Sequence, residues 1–152
     1  MKSTTYTLAF TFVSAVSFIY LFLAIGMVPY WQSLNGTELQ IWWRGTFINF
    51  STLMVPLHLL SIATMIFAFT KNFKEEKSQR KLWIISLAGL LTCQFMNFTL
   101  YGADLNPTLQ SGVLTSSEAL SIFDDWDFYH SIRTAFVCSS LITLIWIGVS
   151  KK

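Results

Sequence analysis

Charge is scarce in this sequence. Of its 152 residues only 12% are Asp, Glu, Lys or Arg, about half the share usual in a soluble domain. Hydrophobic residues make up 53% and the mean hydropathy is +0.53. A soluble domain of this length buries a limited fraction of its surface and could not hide that much apolar material. Disorder and a coiled coil are excluded on the same grounds. Cysteine is nearly missing. Cys93 and Cys138 both stand in apolar stretches, outside any Cys-x-x-Cys pair, which excludes a disulfide-stapled secreted domain and offers neither a redox motif nor a zinc site. Both read as small core residues. The net charge is only +2, and no basic patch interleaves with aromatics, so no nucleic acid partner is expected.

What the chain has instead is apolar length. Four stretches, about 8–28, 47–69, 82–101 and 128–148, approach or exceed the roughly 20 helical residues that cross a bilayer. The first is too long for a signal peptide's apolar core and lacks a small-x-small cleavage site. The expected fold class is all-α: one domain over residues 1–152, an integral membrane four-helix bundle, since a helix in lipid satisfies its own backbone. Lys2, the basic residues of the Lys71–Lys81 connection, and Lys151 and Lys152 fall on one side. Arg44 and Arg133 fall on the other, with six of the eight acidic residues. The positive-inside rule then makes both termini cytoplasmic and turns two long loops outward. The expected location is a bacterial cytoplasmic (inner) membrane.

Long structureless loops are uncommon, and Thr37-x-x-Gln40 and Thr115-x-x-Glu118 fit the capping-box pattern of a helix start. Both loops are therefore expected to be partly helical. Trp31, Trp42, Trp43 and Trp126 are expected near the outer interface, where amphipathic rings prefer to lie. Gly26, Pro29, Thr37 and Trp43 loosely echo Gly102, Pro107, Thr115 and Trp126, the pattern of an internal two-helix repeat.

The third span carries Ser86, Gly89, Cys93, Asn97, Tyr101 and Asp104 at steps of three and four, hence on one helix face. Small residues on such a face let helices approach, and polar ones face the bundle. At the outer end stronger groups converge. Asn49 lies near the start of the second span, and Trp126, His130 and Arg133 share a face at the start of the fourth. An arginine inside an apolar span is costly and usually faces a partner or a wet cavity. Asp104 or Asp127 is the expected counter-charge. The same set could instead lock the helices, or Arg133 could reach the headgroups. A functional reading has it orient a polar aromatic ligand and move a proton, a task suited to histidine.

His58 lies roughly 16 Å into the second span at 1.5 Å per residue. It reads as a hydrogen-bonded interior residue, or as a haem or metal ligand with His130. By the same rise His130 is only about 3 Å into its span, an offset that disfavours a haem held between the two.

These residues also carry a resemblance. Gly26-Met27-Val28-Pro29, Asn97 followed by Leu105-Asn106-Pro107, and above all Trp126-x-x-x-His130-x-x-Arg133-Thr134 resemble the motifs of the anthrone oxygenase-like family of small four-helix membrane proteins. In the family's pattern the proline precedes the asparagine; here it follows. The resemblance implies oxidation of an anthrone to an anthraquinone by dioxygen, with no cofactor. His130 would be the general base and Arg133 would stabilise the anion. Asn97 and Asn106 would hold substrate oxygens, and Trp126 and Tyr101 would flank the ring.

Three functions remain open on the sequence. One is an enzyme oxidising a lipophilic aromatic or quinone-like molecule at the outer end of the bundle. Another is a haem or metal protein using His58, His130 or both. The last is a non-catalytic accessory or ligand-binding subunit. Expected partners are the lipid bilayer, a lipophilic aromatic small molecule, and either a further copy of the chain or a larger membrane complex.

Overall fold

The computed structural model describes residues 4–75 and 77–150, apart from the side chains of 48, 51 and 75. Lys2, Lys151 and Lys152, which help to orient the sequence, lie outside the described residues. Every regular element described is helical. Helix α1 (Thr4–Phe22) passes through a π-helical turn (Leu23–Met27) into the short α2 (Val28–Gln32). Helix α3 (Gly36–Trp42) passes through a second π turn (Trp43–Phe47) into α4 (Ile48–Glu75). After a 3₁₀ turn (Lys77–Gln79), α5 (Arg80–Met96) continues into a longer π segment (Asn97–Leu105) and α6 (Asn106–Ser111). Helix α7 (Ser116–Val149) is unbroken.

Among the described residues, four helical stretches are long and apolar enough to cross a membrane: Thr4–Gln32, Thr52–Lys74, Lys77–Ser111 and Ser116–Val149. They contain the expected spans, except that the second stretch begins at Thr52 rather than 47. The two long connections are largely helical, because each is capped and neither holds a proline in the interior of its helices; Pro29 and Pro107 stand at helix starts, where the missing N–H is tolerated.

Thr115 opens α7 with the expected capping box: its hydroxyl accepts from the Glu118 N–H, and the Glu118 carboxylate accepts from the Thr115 N–H. The first box starts at Asn35 rather than Thr37. Asn35 Oδ1 accepts from the Thr37 and Glu38 N–H groups, and Glu38 accepts from the Asn35 N–H. Asparagine caps at least as well as threonine, and Glu38 stands three residues after it. The residues just after the two caps meet: Gly36 N–H donates to Ser116 Oγ at 2.9 Å. A Cβ on Gly36 would collide with the Ser116 backbone, so glycine is required for the approach. Each half of the chain thus repeats one order: long helix, π segment, short proline-started helix, capped helix.

The main seam joins α5 to α7, while α1 packs on α4 and α7. Ser86 Oγ donates to the Ser140 carbonyl at 2.9 Å, and Gly89 abuts Ser140 and the Phe136 carbonyl. Ser86, Gly89 and Cys93 therefore form the expected packing stripe. Asp104 leaves it and is exposed. The π segment, bonded i to i+5, advances the chain by a different angle per residue and turns Asp104 off that face.

The core has two parts. One, toward the 75–80 connection, includes Val13, Met65, Trp83, Leu90 and Leu144. The other fills the end that carries Asn35 and Thr115, here the capped end, and includes Trp31, Leu39, Trp43, Tyr101 and Trp126. The expected interfacial belt of tryptophans is instead this core: Trp31, Trp43 and Trp126 are 0% exposed, and Trp42 is half-buried. The helices of the long connections cover the rings, which meet edge to face or tilted at centroid distances of 5.2 Å (Trp31–Trp43) and 5.3 Å (Trp43–Trp126).

Candidate functional site

Arg133 projects from α7 toward α1 and the α5 π segment and is 6% exposed. Its Nη1 donates to Asn97 Oδ1 at 2.7 Å. Its Nε and Nη2 donate to His130 Nδ1 at 3.1 and 2.9 Å. The guanidinium carbon lies 3.4 Å from the Tyr101 ring centroid, 4.9 Å from that of Tyr20 and 5.1 Å from that of Trp126. These are cation–π distances.

Neither expected counter-charge reaches it. Asp127 accepts from Gln32 Nε2 at 3.1 Å, and Asp104 accepts from Thr108 at 3.4 Å. Asp104 is turned away by the π segment, and six residues along a straight α-helix put Asp127 and Arg133 on different faces. Every hydrogen bond described for Arg133 goes to a neutral group. Those bonds use three of the five N–H donors that a guanidinium carries.

His130 is wholly buried and fully used. Arginine can only donate, so Nδ1 of His130 is an acceptor and Nε2 carries the hydrogen, donating to the Tyr20 carbonyl at 3.2 Å. The imidazole is stacked between Trp126 (4.9 Å) and Tyr20 (5.6 Å). Trp126 Nε1 donates to Asn106 Oδ1 at 3.1 Å, and Tyr101 donates to the Trp126 carbonyl at 2.9 Å. The straight α7 thus presents Trp126, His130 and Arg133 on one buried face, as their spacing predicts.

In front of Arg133 lies a cavity of about 320 Å³. Tyr20 and Leu23 form one wall, and Phe50, Met54, Val55 and His58 of α4 another. The α5 side contributes Gln94, Asn97, Phe98 and Tyr101, and Asn106 and Gln110 stand toward the capped end. All three π segments contribute to this wall: Leu23 from the first, Phe47 from the second, and Asn97, Phe98, Tyr101 and Gly102 from the third. Such bulges are frequent at functional sites.

Four of the six residues expected at the site line this cavity: Asn97, Tyr101, Asn106 and Arg133. His130 and Trp126 stand behind it as support. Asn49 is exposed and takes no part in the lining. Tyr20, Gln94 and His58 complete the wall. Tyr20 donates to Asn97 Oδ1 at 2.8 Å, and Asn97 Nδ2 donates to Gln94 Oε1 at 3.1 Å. Buried polar atoms are nearly always paired, yet Gln94 Nε2 and His58 Nε2 are buried here without a protein partner.

A haem held between His58 and His130 does not fit. Both nitrogens of His130 are engaged, and the Tyr20 ring lies against each imidazole, 5.6 Å from either centroid. Among the described residues, no three His, Cys, Asp or Glu side chains are grouped as metal ligands.

Comparison with protein-family models, with curated proteins and with solved structures gives no match for this chain.

Proposed function

We propose that this chain is an integral membrane protein that binds a weakly acidic, lipophilic aromatic molecule, holds it as its anion and oxidises it with dioxygen. Its four apolar helices cross the bilayer, with the termini and the Lys71–Lys81 connection cytoplasmic and the capped end outside, as the charge distribution favours.

The observation that carries the reading is Arg133: a buried cation on a cavity wall, with neutral partners and N–H donors to spare. Burying a charge is costly unless something compensates it. An anionic ligand supplies the missing counter-charge, and the surrounding Tyr20 and Tyr101 rings offer flat apolar contact. Gln94 Nε2 adds a donor for a ligand oxygen, and Asn106 and Gln110 meet a second polar group at the other end.

For an anthrone-like substrate the reaction is balanced as a ring CH₂ plus O₂ giving C=O plus H₂O. The first step is loss of a proton to form an electron-rich enolate. A base must reach that proton directly or through one water. His58 has a buried ring nitrogen free on the cavity wall, whereas His130 has none, so His58 takes the proton and His130 aligns Arg133. Arg133 stabilises the enolate and the reduced oxygen species, as preorganised charge does in a dry site. No external cofactor enters this scheme.

A second reading, a binding subunit without chemistry, is favoured by the engagement of both His130 ring nitrogens, which ties that imidazole into the fold with no substrate step. The test is to supply anthrone under air to the protein in nanodiscs and follow anthraquinone formation and oxygen uptake. Turnover above that of empty nanodiscs that is lost in His58→Ala supports the enzyme. Tight anthrone binding with no added turnover leaves the binding subunit. Absence of both overturns the proposal.

A further inference from the structure

The cavity is small and reaches the protein surface within the apolar part of two helices. Its volume of about 320 Å³ sits at the low end of the range of about 300–1,000 Å³ typical of ligand pockets. It accepts a ring system of two or three fused rings and no long appendage. Its lining is graded. Arg133 and Gln94 are buried and Asn97 half-buried at one side, while Val55 of α4 and Phe98 of the α5 side are 50% and 61% exposed on the opposite rim. Both belong to stretches apolar enough to lie in a bilayer. The seam they flank is the loose one, since α5 packs far more extensively on α7 than on α4. Around it, Met54, Phe50 and Val55 offer only apolar contact.

Resting on the binding reading above, we infer that the natural ligand is an acidic ring carrying a hydrocarbon chain, and that it enters sideways from the bilayer between α4 and α5. The ring lies against Arg133 and Tyr101. The chain passes between Val55 and Phe98 and stays in the lipid. This arrangement leaves the chain in the same apolar medium before and after binding, so chain length costs nothing, and it keeps a sparingly soluble ligand out of water throughout.

The test uses 2-hydroxy-1,4-naphthoquinones with methyl, hexyl or dodecyl groups at the 3-position, each titrated against protein in nanodiscs and compared with empty nanodiscs. Affinity referred to the membrane concentration stays within about threefold across the series in the unaltered protein. In Val55→Trp, and independently in Phe98→Trp, the dodecyl compound loses at least about tenfold more affinity than the methyl compound does. Both positions are exposed, and retained methyl binding certifies that each variant is folded. Binding of the methyl compound alone by the unaltered protein would overturn the side entrance and leave the ring site intact. Equal response of short and long chains to both substitutions would overturn it as well. If no compound binds, the ring site itself fails, and the inference with it.

Discussion

The guanidinium of Arg133 lies over the ring of Tyr101, 3.4 Å from its centroid, and among the described residues no carboxylate accompanies it. The phenol is fixed in turn by its bond to the Trp126 carbonyl, and the guanidinium by His130 and Asn97. One charge is thereby held at a set angle to a cavity by groups that leave it uncompensated.

Replacing Arg133 by lysine keeps the charge and loses the fork. An ammonium cannot serve His130 and Asn97 together while lying flat on Tyr101. Arg133→Lys is expected to bind the hydroxynaphthoquinone anion about tenfold more weakly than the parent, corresponding to about 1.4 kcal/mol. Titration in nanodiscs measures this.

His130 and His58 are expected to fail differently. His130→Ala strips an acceptor from Arg133 and a donor from the Tyr20 carbonyl. Leaving such buried groups unpaired costs about 1–3 kcal/mol, so the thermal midpoint in detergent falls. His58→Ala removes no hydrogen-bonded ring nitrogen at Nε2 and leaves the midpoint near the parent's. It lowers anthrone turnover by about 10²–10⁴-fold, the usual contribution of a positioned base.

Much of this arrangement is legible in the residues. Trp126, His130 and Arg133 fall on one face because α7 is a regular helix, so their spacing translates directly into a shared side. Asn97 and Tyr101 are found by the same rule. The rule stops at Asp104, where the π segment changes the angle per residue with no signal in the sequence to announce it. His58 is a lone histidine in an apolar run, and only the fold brings it beside Tyr20, 38 positions earlier in the chain and on another helix. The tryptophans read as an interfacial belt because their covering helices, α2, α3 and α6, are too short for periodicity to reveal.

The α5–α7 seam depends on Gly89. A Cβ there would stand 2.6 Å from Ser140 Oγ and 2.8 Å from the Phe136 carbonyl oxygen. Close helix approach in apolar media rests on such small residues. Gly89→Leu is expected to push α5 off α7 and destabilise the protein by about 1–3 kcal/mol, as overpacking does. Thermal unfolding in detergent reports it, and Gly45→Ala, where a Cβ meets nothing within 4 Å, is the control.

The membrane orientation is open to labelling in intact cells. Thr37 and Ser78 are both exposed, at opposite ends of the bundle, and the native Cys93 and Cys138 are buried and half-buried. A membrane-impermeant maleimide is expected to label Thr37→Cys in intact cells and Ser78→Cys only after lysis. The reverse pattern would invert the topology.

If Arg133 awaits an anion, charge on the ligand decides its affinity. The most direct measurement compares 2-hydroxy-1,4-naphthoquinone, ionised at neutral pH, with its uncharged methyl ether, against the parent and Arg133→Met in nanodiscs. The parent is expected to prefer the anion by at least about tenfold, and the preference to disappear in Arg133→Met. Equal affinity for anion and ether in the parent, or an unchanged preference without the guanidinium, would contradict it.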